Sequence, residues 1–204
     1  MTRLPRALAY ASLPLSVLLL TGCGGQGEAA DPGEVAARAQ RLGIAPEHVY
    51  AIEADGFTVA RQSVGVHGGD GFSAVYVSRS TGDRIQLRVD RTETTAATCP
   101  EQPVGDSSSG GSVTCRKDGD AWYRSSGGHR EYAVPKEGHV VLVGAGPGVG
   151  RDVLREAALG AHRPTAGELD ALLPAGGGGT EPVERGDLPA EGDGAPRDGA
   201  GVGG

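Results

Sequence analysis

Alternating apolar and polar residues fill the middle of the chain and predict a series of short β-strands. The clearest is Arg84–Asp90, in which every second residue is apolar and would face a core. Gly-, Asp- and Pro-containing turns separate the strands and leave no room for crossover helices, so we expect antiparallel meanders. Further strands are predicted at residues 50–52, 63–66, 72–79, 113–116, 121–124, 130–134 and 139–143.

Helical periodicity replaces this alternation at both ends of the predicted sheet. Residues 31–34, Asp-Pro-Gly-Glu, are typical of a helix start, and Gly43 is typical of a helix end. Beyond the strands, Asp152 is the predicted N-cap of a second helix, and Thr165 and Glu168 form the capping box of a third. The pattern therefore predicts an α+β fold, an antiparallel β-meander sheet with one N-terminal helix and two C-terminal helices. We expect the helices to cover one face of the sheet and to leave the other partly open.

The first residues have the pattern of an export signal. Two arginines precede an uncharged apolar segment, residues 7–20, which is too short to span a membrane. It ends in Leu20-Thr21-Gly22-Cys23, which resembles the lipobox of bacterial lipoproteins. The resemblance implies that Cys23 becomes the N-terminus and carries lipid, palmitate among it, on the extracytoplasmic face of the cell membrane. An ordinary secretory signal followed by a chance cysteine is the alternative.

Composition supports a division of the chain into four segments. They are a signal peptide at residues 1–22, a lipidated tether at residues 23–30, the α+β domain at residues 31–174 and a tail at residues 175–204. The tail is rich in Gly, Pro and acidic residues without apolar periodicity, and is predicted to be disordered. Removal of the signal peptide with its two arginines moves the formal charge from −7 to −9. An acidic exported protein is not expected to bind nucleic acid.

Cysteine and histidine positions predict a disulfide and no metal site. With Cys23 used for lipid, Cys99 and Cys115 remain to pair with each other in an oxidising compartment. A zinc site at these cysteines is the alternative, but no histidine or second cysteine pair stands beside them. His67 and Asp70 could meet in a glycine-rich turn, yet two ligands do not make a site.

Two stretches resemble catalytic or cofactor-binding motifs, and we expect neither to be one. Residues 105–111, around Ser107, are similar to the nucleophile signature of trypsin-like serine proteases. Extra serines split that signature, and Thr98 stands where the catalytic histidine would be. The glycines within residues 144–150 lie between a predicted strand and helix, but their spacing fits neither the Walker nor the dinucleotide pattern. The sequence therefore predicts no catalytic residue and no cofactor.

Trp122 and Tyr123 form the densest aromatic spot and are the candidate partner-binding residues. Strand alternation places one ring inward and the other outward. The outward ring could either cover the sheet edge or anchor a partner, since Trp and Tyr dominate binding hot spots. Arg116, Lys117 and Arg124 would then supply a cationic rim around it.

Five runs occur together in the second half of the domain: Val113-Thr114-Cys115, Asp120-Ala121-Trp122-Tyr123, Glu131-Tyr132, Gly138-His139-Val140-Val141 and Glu168-Leu169-Asp170-Ala171-Leu172-Leu173-Pro174. With them, residues from about 99 to 174 resemble small actinobacterial membrane lipoproteins of uncharacterised function. The resemblance implies an envelope location and no catalytic activity. We expect a non-enzymatic binding or interaction module that recognises an envelope protein or a cell-wall component. A small-ligand carrier or sensor is the alternative, and a hydrolase is the third possibility.

Overall fold

Eight strands and three helices make up the part of the chain that the computed structural model describes, residues 27–105, 111–136 and 138–176. The predicted signal peptide, Cys23, Ser107 and nearly all of the predicted tail lie outside these residues. The helices are α1 (Pro32–Gln40), α2 (Arg151–Leu159) and α3 (Ala166–Leu172). The strands are β1 (Phe57–Val59), β2 (Gly65–His67), β3 (Gly71–Ser78), β4 (Arg84–Asp90), β5 (Thr114–Asp118), β6 (Ala121–Ser126), β7 (His129–Lys136) and β8 (His139–Ala145).

All eight strands belong to one sheet, in the order β1-β3-β4-β8-β7-β6-β5, with β2 sharing the edge of β3 with β1. Every pairing between the described strands is antiparallel. The predicted α+β class, with one helix before the sheet and two after it, is confirmed. The two meanders join through β4 and β8, where Leu87 lies opposite Val143. The last strand of the domain therefore lies at the centre of the sheet.

The three helices pack on one face of the sheet, here called the helix face. Apolar residues at alternate strand positions, such as Leu87 and Val143, form the main core there with Leu154 of α2 and Leu169 of α3. The opposite face, the outer face, carries the intervening residues of the same strands. A smaller apolar cluster lies on it, formed by Ala133, Val140 and Leu142 with Trp122 packed against them.

Residues 91–105, here called the crossing segment, lead from the central strand β4 toward the edge strand β5. Cys99 of this segment forms the predicted disulfide with Cys115 of β5, with the two Cα atoms 6.3 Å apart. Cys99 and Val104 are buried, and Arg124 of β6 donates hydrogen bonds to the segment's backbone. The crossing segment therefore covers part of the outer face.

Three local predictions are wrong. Residues 50–52 form no strand, because this apolar run packs in the main core and does not lie beside a strand. Its one β-type contact is an isolated bridge between Ala51 and His162. A short 3-10 turn occupies Arg61–Ser63, so the strand predicted at residues 63–66 begins at Gly65. The N-cap of α2 is Gly150, and Asp152 lies inside the first turn. A carboxylate there still stabilises the helix through its interaction with the positive end of the helix dipole.

Three other helix ends follow the prediction. Asp31 accepts a hydrogen bond from the Glu34 N–H at the start of α1. Gly43, just beyond its end, has φ +74°, a conformation that favours glycine. The Thr165 hydroxyl and the Glu168 carboxylate form the complete capping box of α3.

Candidate functional site

One row of side chains crosses the outer face of the sheet from β3 to β5. Residues that lie in register across neighbouring strands are direct neighbours on one face. In this row a glycine separates a polar residue on β4 from two charged residues on β7 and β6. The members are Val75, Gln86, Gly144, Glu131, Arg124 and Cys115.

Glu131, in the middle of this row, is completely buried and is bound by two arginines. Arg124 Nη1 donates to Glu131 Oε1 over 2.7 Å, and Arg88 Nη2 donates to Glu131 Oε2. Arg124 Nη2 also donates to the carbonyl oxygens of Gln102 and Pro103, over 2.6 and 3.1 Å. The same guanidinium therefore neutralises Glu131 and holds the crossing segment against the sheet.

These three residues, here called the buried triad, carry two positive charges and one negative charge. Burial lowers the pKa of Arg124, the nearby Glu131 raises it, and Arg88 lowers it again. Arginine nevertheless stays protonated, because its ordinary pKa lies far above neutral. Arg124 Nε is buried and has no hydrogen-bond partner among the described residues. The buried triad therefore carries one more positive charge than negative charge.

Gly144 and Gly146 form the floor of a cleft beside the triad. A Cβ atom at Gly144 would lie 3.5 Å from Glu131 Oε2, and one at Gly146 would meet no atom within 4 Å. The strands β4 and β7 flank β8 at about 4.8 Å on either side, so their side chains stand about 10 Å apart across bare backbone. The resulting cleft has a volume of about 370 Å³, which suits a small molecule.

Arg84, His129 and Gly105 form much of the cleft's walls. Arg84 is exposed, and its guanidinium makes no hydrogen bond or ion pair with another described residue. A Cβ atom at Gly105, where φ is +65°, would lie 3.4 Å from His129 Nδ1, so this glycine allows a close approach to the ring. Among the described residues that line the cleft none is acidic. The cleft is thus a basic site on an acidic protein.

Trp122 and Tyr123 lie on opposite faces of the sheet, as strand alternation requires. Tyr123 packs on the helix face, 5.2 Å from the Tyr132 ring, with the Arg151 guanidinium 4.3 Å from its centroid. Trp122 lies on the outer face and covers the small apolar cluster, with Lys117 Nζ 4.6 Å from its ring centroid. Both residues are half-buried. Each therefore has a packing role in the fold.

The predicted cationic rim around Trp122 is wrong at two residues. Lys117 is exposed and lies opposite Trp122, but Arg116 lies opposite Tyr123 and is therefore on the helix face. Arg124 is only 1% exposed, because Glu131 lies directly opposite it on β7 and draws the guanidinium into the buried triad.

His67 and Asp70 do not come together. His67 Nε2 lies 3.8 Å from Asp90 Oδ2, and the Asp70 carboxylate accepts a hydrogen bond from Arg91 over 2.9 Å. Among the described residues no group of three or more His, Cys, Asp or Glu side chains could hold a metal ion.

The structure instead brings together two histidines that the sequence gave no reason to pair. The rings of His48 and His139 are 5.4 Å apart, edge to face. His139 Nε2 lies 3.1 Å from the Tyr50 hydroxyl, and His48 Nδ1 lies 3.0 Å from the Asp70 carbonyl oxygen. These contacts join the segment after α1 to the start of β8, and we assign them a structural role.

Sequence reasoning also missed the cleft, although one signal for it was present. Gly144 interrupts an apolar run that otherwise reads as a fully buried strand. A glycine inside a strand often marks a place where another group approaches the backbone closely.

Within the described part of the chain no helix is long and apolar enough to cross a membrane. Protein-family models, curated proteins and solved structures give no significant match to this chain.

Proposed function

We propose that this protein is a lipid-anchored binding protein on the extracytoplasmic face of the cell membrane, and that it holds a ligand instead of catalysing a reaction. The observation that carries the proposal is the glycine-floored cleft on the outer face. Glycine in a strand costs conformational entropy and provides no side chain to pack. Gly144 inside the central strand, and Gly146 just beyond its end, are accounted for by a ligand that occupies the space above them.

The disulfide and the lipobox support the proposed location. A disulfide such as Cys99–Cys115 persists in oxidising compartments, and Cys23 is the proposed lipid attachment point. Ala29 pairs with Thr165 at the start of α3, so the tether leaves the domain beside a helix of the helix face. The outer face then lies on the side of the sheet away from the tether, where a ligand can approach.

The volume of the cleft favours a small ligand over a large protein surface. A macromolecular partner at Trp122 is the second candidate, and the observation that favours it is the Lys117 ammonium stacked on the ring. Such a pair on the outer face presents a cation beside an aromatic edge, a combination found in binding hot spots.

Lipid attachment is tested by Cys23→Ala. Cells that express this variant should incorporate no radiolabelled fatty acid into the protein, and the signal segment should stay uncleaved at that position. Retained label would place the anchor at another residue.

Ligand binding is tested by filling the cleft. Native mass spectrometry of the full-length protein isolated from its own membranes should show a small molecule bound to the wild type and absent from Gly146→Leu. Gly69→Leu is the matched control, because it also adds a side chain where a Cβ atom meets nothing within 4 Å. If wild type and Gly146→Leu carry the same set of molecules, the cleft is not the binding site.

A further inference from the structure

We propose that the cleft binds an oxyanion, the carboxylate or phosphate group of a small molecule, and that Arg84 is its ion-pairing residue. This inference rests on the proposed function and adds the chemical class of the ligand. The shared chemistry is a compact group with two or more negatively polarised oxygen atoms. Such a group matches the planar fork of a guanidinium.

The first argument is the charge around the cleft. Arg84 lines it and is paired with no described residue, and the adjoining triad contributes a further excess positive charge. Among the described lining residues no carboxylate offsets these charges. On a protein whose formal charge is −7, such a concentration of cations attracts anions and repels cations.

The second argument is the position of the nearest acidic side chains. Asp83, the neighbour of Arg84, accepts a hydrogen bond from the Thr81 hydroxyl over 2.6 Å. It lies against Gly148, beyond the cleft lining, where a Cβ atom would be 2.0 Å from its Oδ1. Glu131 is adjacent to the floor but is sealed from water and held by two arginines. Neither carboxylate is therefore available to occupy Arg84 in place of a ligand.

The third argument is the shape of the cleft. Arg84 and His129 stand on β4 and β7, on the outer face by strand alternation, with the bare Gly144–Gly146 backbone between them. An imidazole can donate a hydrogen bond to the same anion from the opposite wall. A gap of about 10 Å, twice the strand spacing, leaves room for one small ligand between the two donors.

The experiment titrates the isotope-labelled full-length protein with defined probes and follows its backbone amide signals by NMR. The soluble probes are inorganic phosphate, acetate and glycerol 3-phosphate, and glycerol is the neutral control. Vesicles of phosphatidylcholine, with and without phosphatidylglycerol, test whether the anion belongs to a lipid headgroup. We expect shifts concentrated at Gly144, Gly146 and His129, and affinity that weakens as sodium chloride is raised.

Two matched variants separate a site from general charge attraction. Arg84→Gln should weaken anion affinity about tenfold, the usual effect of losing one charge-assisted hydrogen bond. Arg79→Gln removes the same charge from an exposed arginine near the same turn and should leave the affinity unchanged. Gly146→Leu should abolish the shifts, and Gly69→Leu should keep them.

Each outcome decides the proposal. Soluble anions that shift the cleft residues identify a free small-molecule ligand, whereas shifts with anionic vesicles alone identify a lipid headgroup, and both support an oxyanion site. Equal effects of Arg84→Gln and Arg79→Gln, or no shift at the cleft with any anion, would overturn it. If glycerol or another neutral molecule occupies the cleft and Gly146→Leu excludes it, the binding function stands and the anion assignment fails.

Discussion

Arg124 and Glu131 face each other on neighbouring strands, and the 2.7 Å ion pair between them is almost completely sealed from water. Moving charges out of water is costly, and the cost is met only when each charge has well-placed partners. Glu131 has two such partners, because Arg124 and Arg88 each donate a hydrogen bond to its carboxylate. The carboxylate therefore keeps two arginines in place on the outer face, and its loss would leave both without a counter-charge.

Glu131→Gln should lower the free energy of unfolding by about 3–5 kcal/mol, because it leaves buried arginines unpaired. Urea denaturation at neutral pH measures the change. Glu101→Gln, on the exposed surface of the crossing segment, should change stability by less than about 0.5 kcal/mol. Equal stability of the two variants would mean that the triad is open to water.

Removing the disulfide with Cys99→Ala and Cys115→Ala together should cost about 3 kcal/mol, since a loop of this length gains that much unfolded-state entropy. The two cysteines are 16 positions apart. Hydrogen exchange should show the crossing segment losing protection before the main core does. Mass spectrometry of the wild-type protein without reductant provides the check, since two free thiols would contradict the pairing.

Thr165→Ala should destabilise the protein by about 1 kcal/mol, because the Thr165 hydroxyl caps α3 by accepting from the Glu168 N–H. Thr165→Ser keeps the hydroxyl and should restore most of the loss. Thermal unfolding of the three proteins gives the comparison. No difference between alanine and serine at this position would show that the cap contributes nothing.

The pH dependence of stability should include a contribution from His162. Burial lowers its pKa, but the Gly160 carbonyl and the Glu168 carboxylate outweigh burial, and the net pKa lies above the ordinary 6.5. A raised pKa means that the protonated ring stabilises the folded state, fully below about pH 6.5 and progressively less as pH rises through the folded value. Denaturation curves at a series of pH values should therefore show this decline in wild type and a flatter profile in His162→Gln. An unchanged profile in the variant would assign the pH dependence to another group.

Trp122→Ala should cost about 2 kcal/mol, because the half-buried ring covers the small apolar cluster on the outer face. A loss of partner binding in this variant could not be separated from a loss of packing. Lys117→Ala is the cleaner test of a partner site, since Lys117 is exposed and its contact with the ring is worth only about 0.5–1 kcal/mol. Weaker partner binding with a melting temperature lowered by no more than about 4 °C would support the Trp122 site, and unchanged binding would exclude Lys117 from it.

The elements could be predicted because their signals are local. The alternation in β4 and the Thr165–Glu168 capping box each depend on residues within a few positions of one another. The run at residues 50–52 failed because an apolar segment in the main core has the same composition as a strand. Local patterns therefore predicted the fold class and most element positions.

The pairing of β4 with β8, and with it the cleft, depends on contacts between distant parts of the chain. Nothing near Arg88 in the sequence indicates that Glu131 will bind it. Sequence alone therefore predicts that the Arg88 side chain faces solvent, although it is buried. The cleft in turn requires Gly144 to lie between Gln86 and Glu131, which only the strand order brings about. No local property of the three residues specifies that order.

The central position of β8 has a consequence for the way the domain reaches its native state. Arg88 and Glu131 are 43 positions apart in the sequence. One edge of β4 pairs with β3, but the other stays unpaired until β8, the last strand of the domain, has been added. Loops that close over such distances slow folding, and an unpaired strand edge is prone to aggregation until closure occurs. If the chain is exported as proposed, the Cys99–Cys115 bond can form once residue 115 has emerged, before β8 has. The bond would then hold the crossing segment near β5 and shorten the effective loop that β8 must close to reach β4.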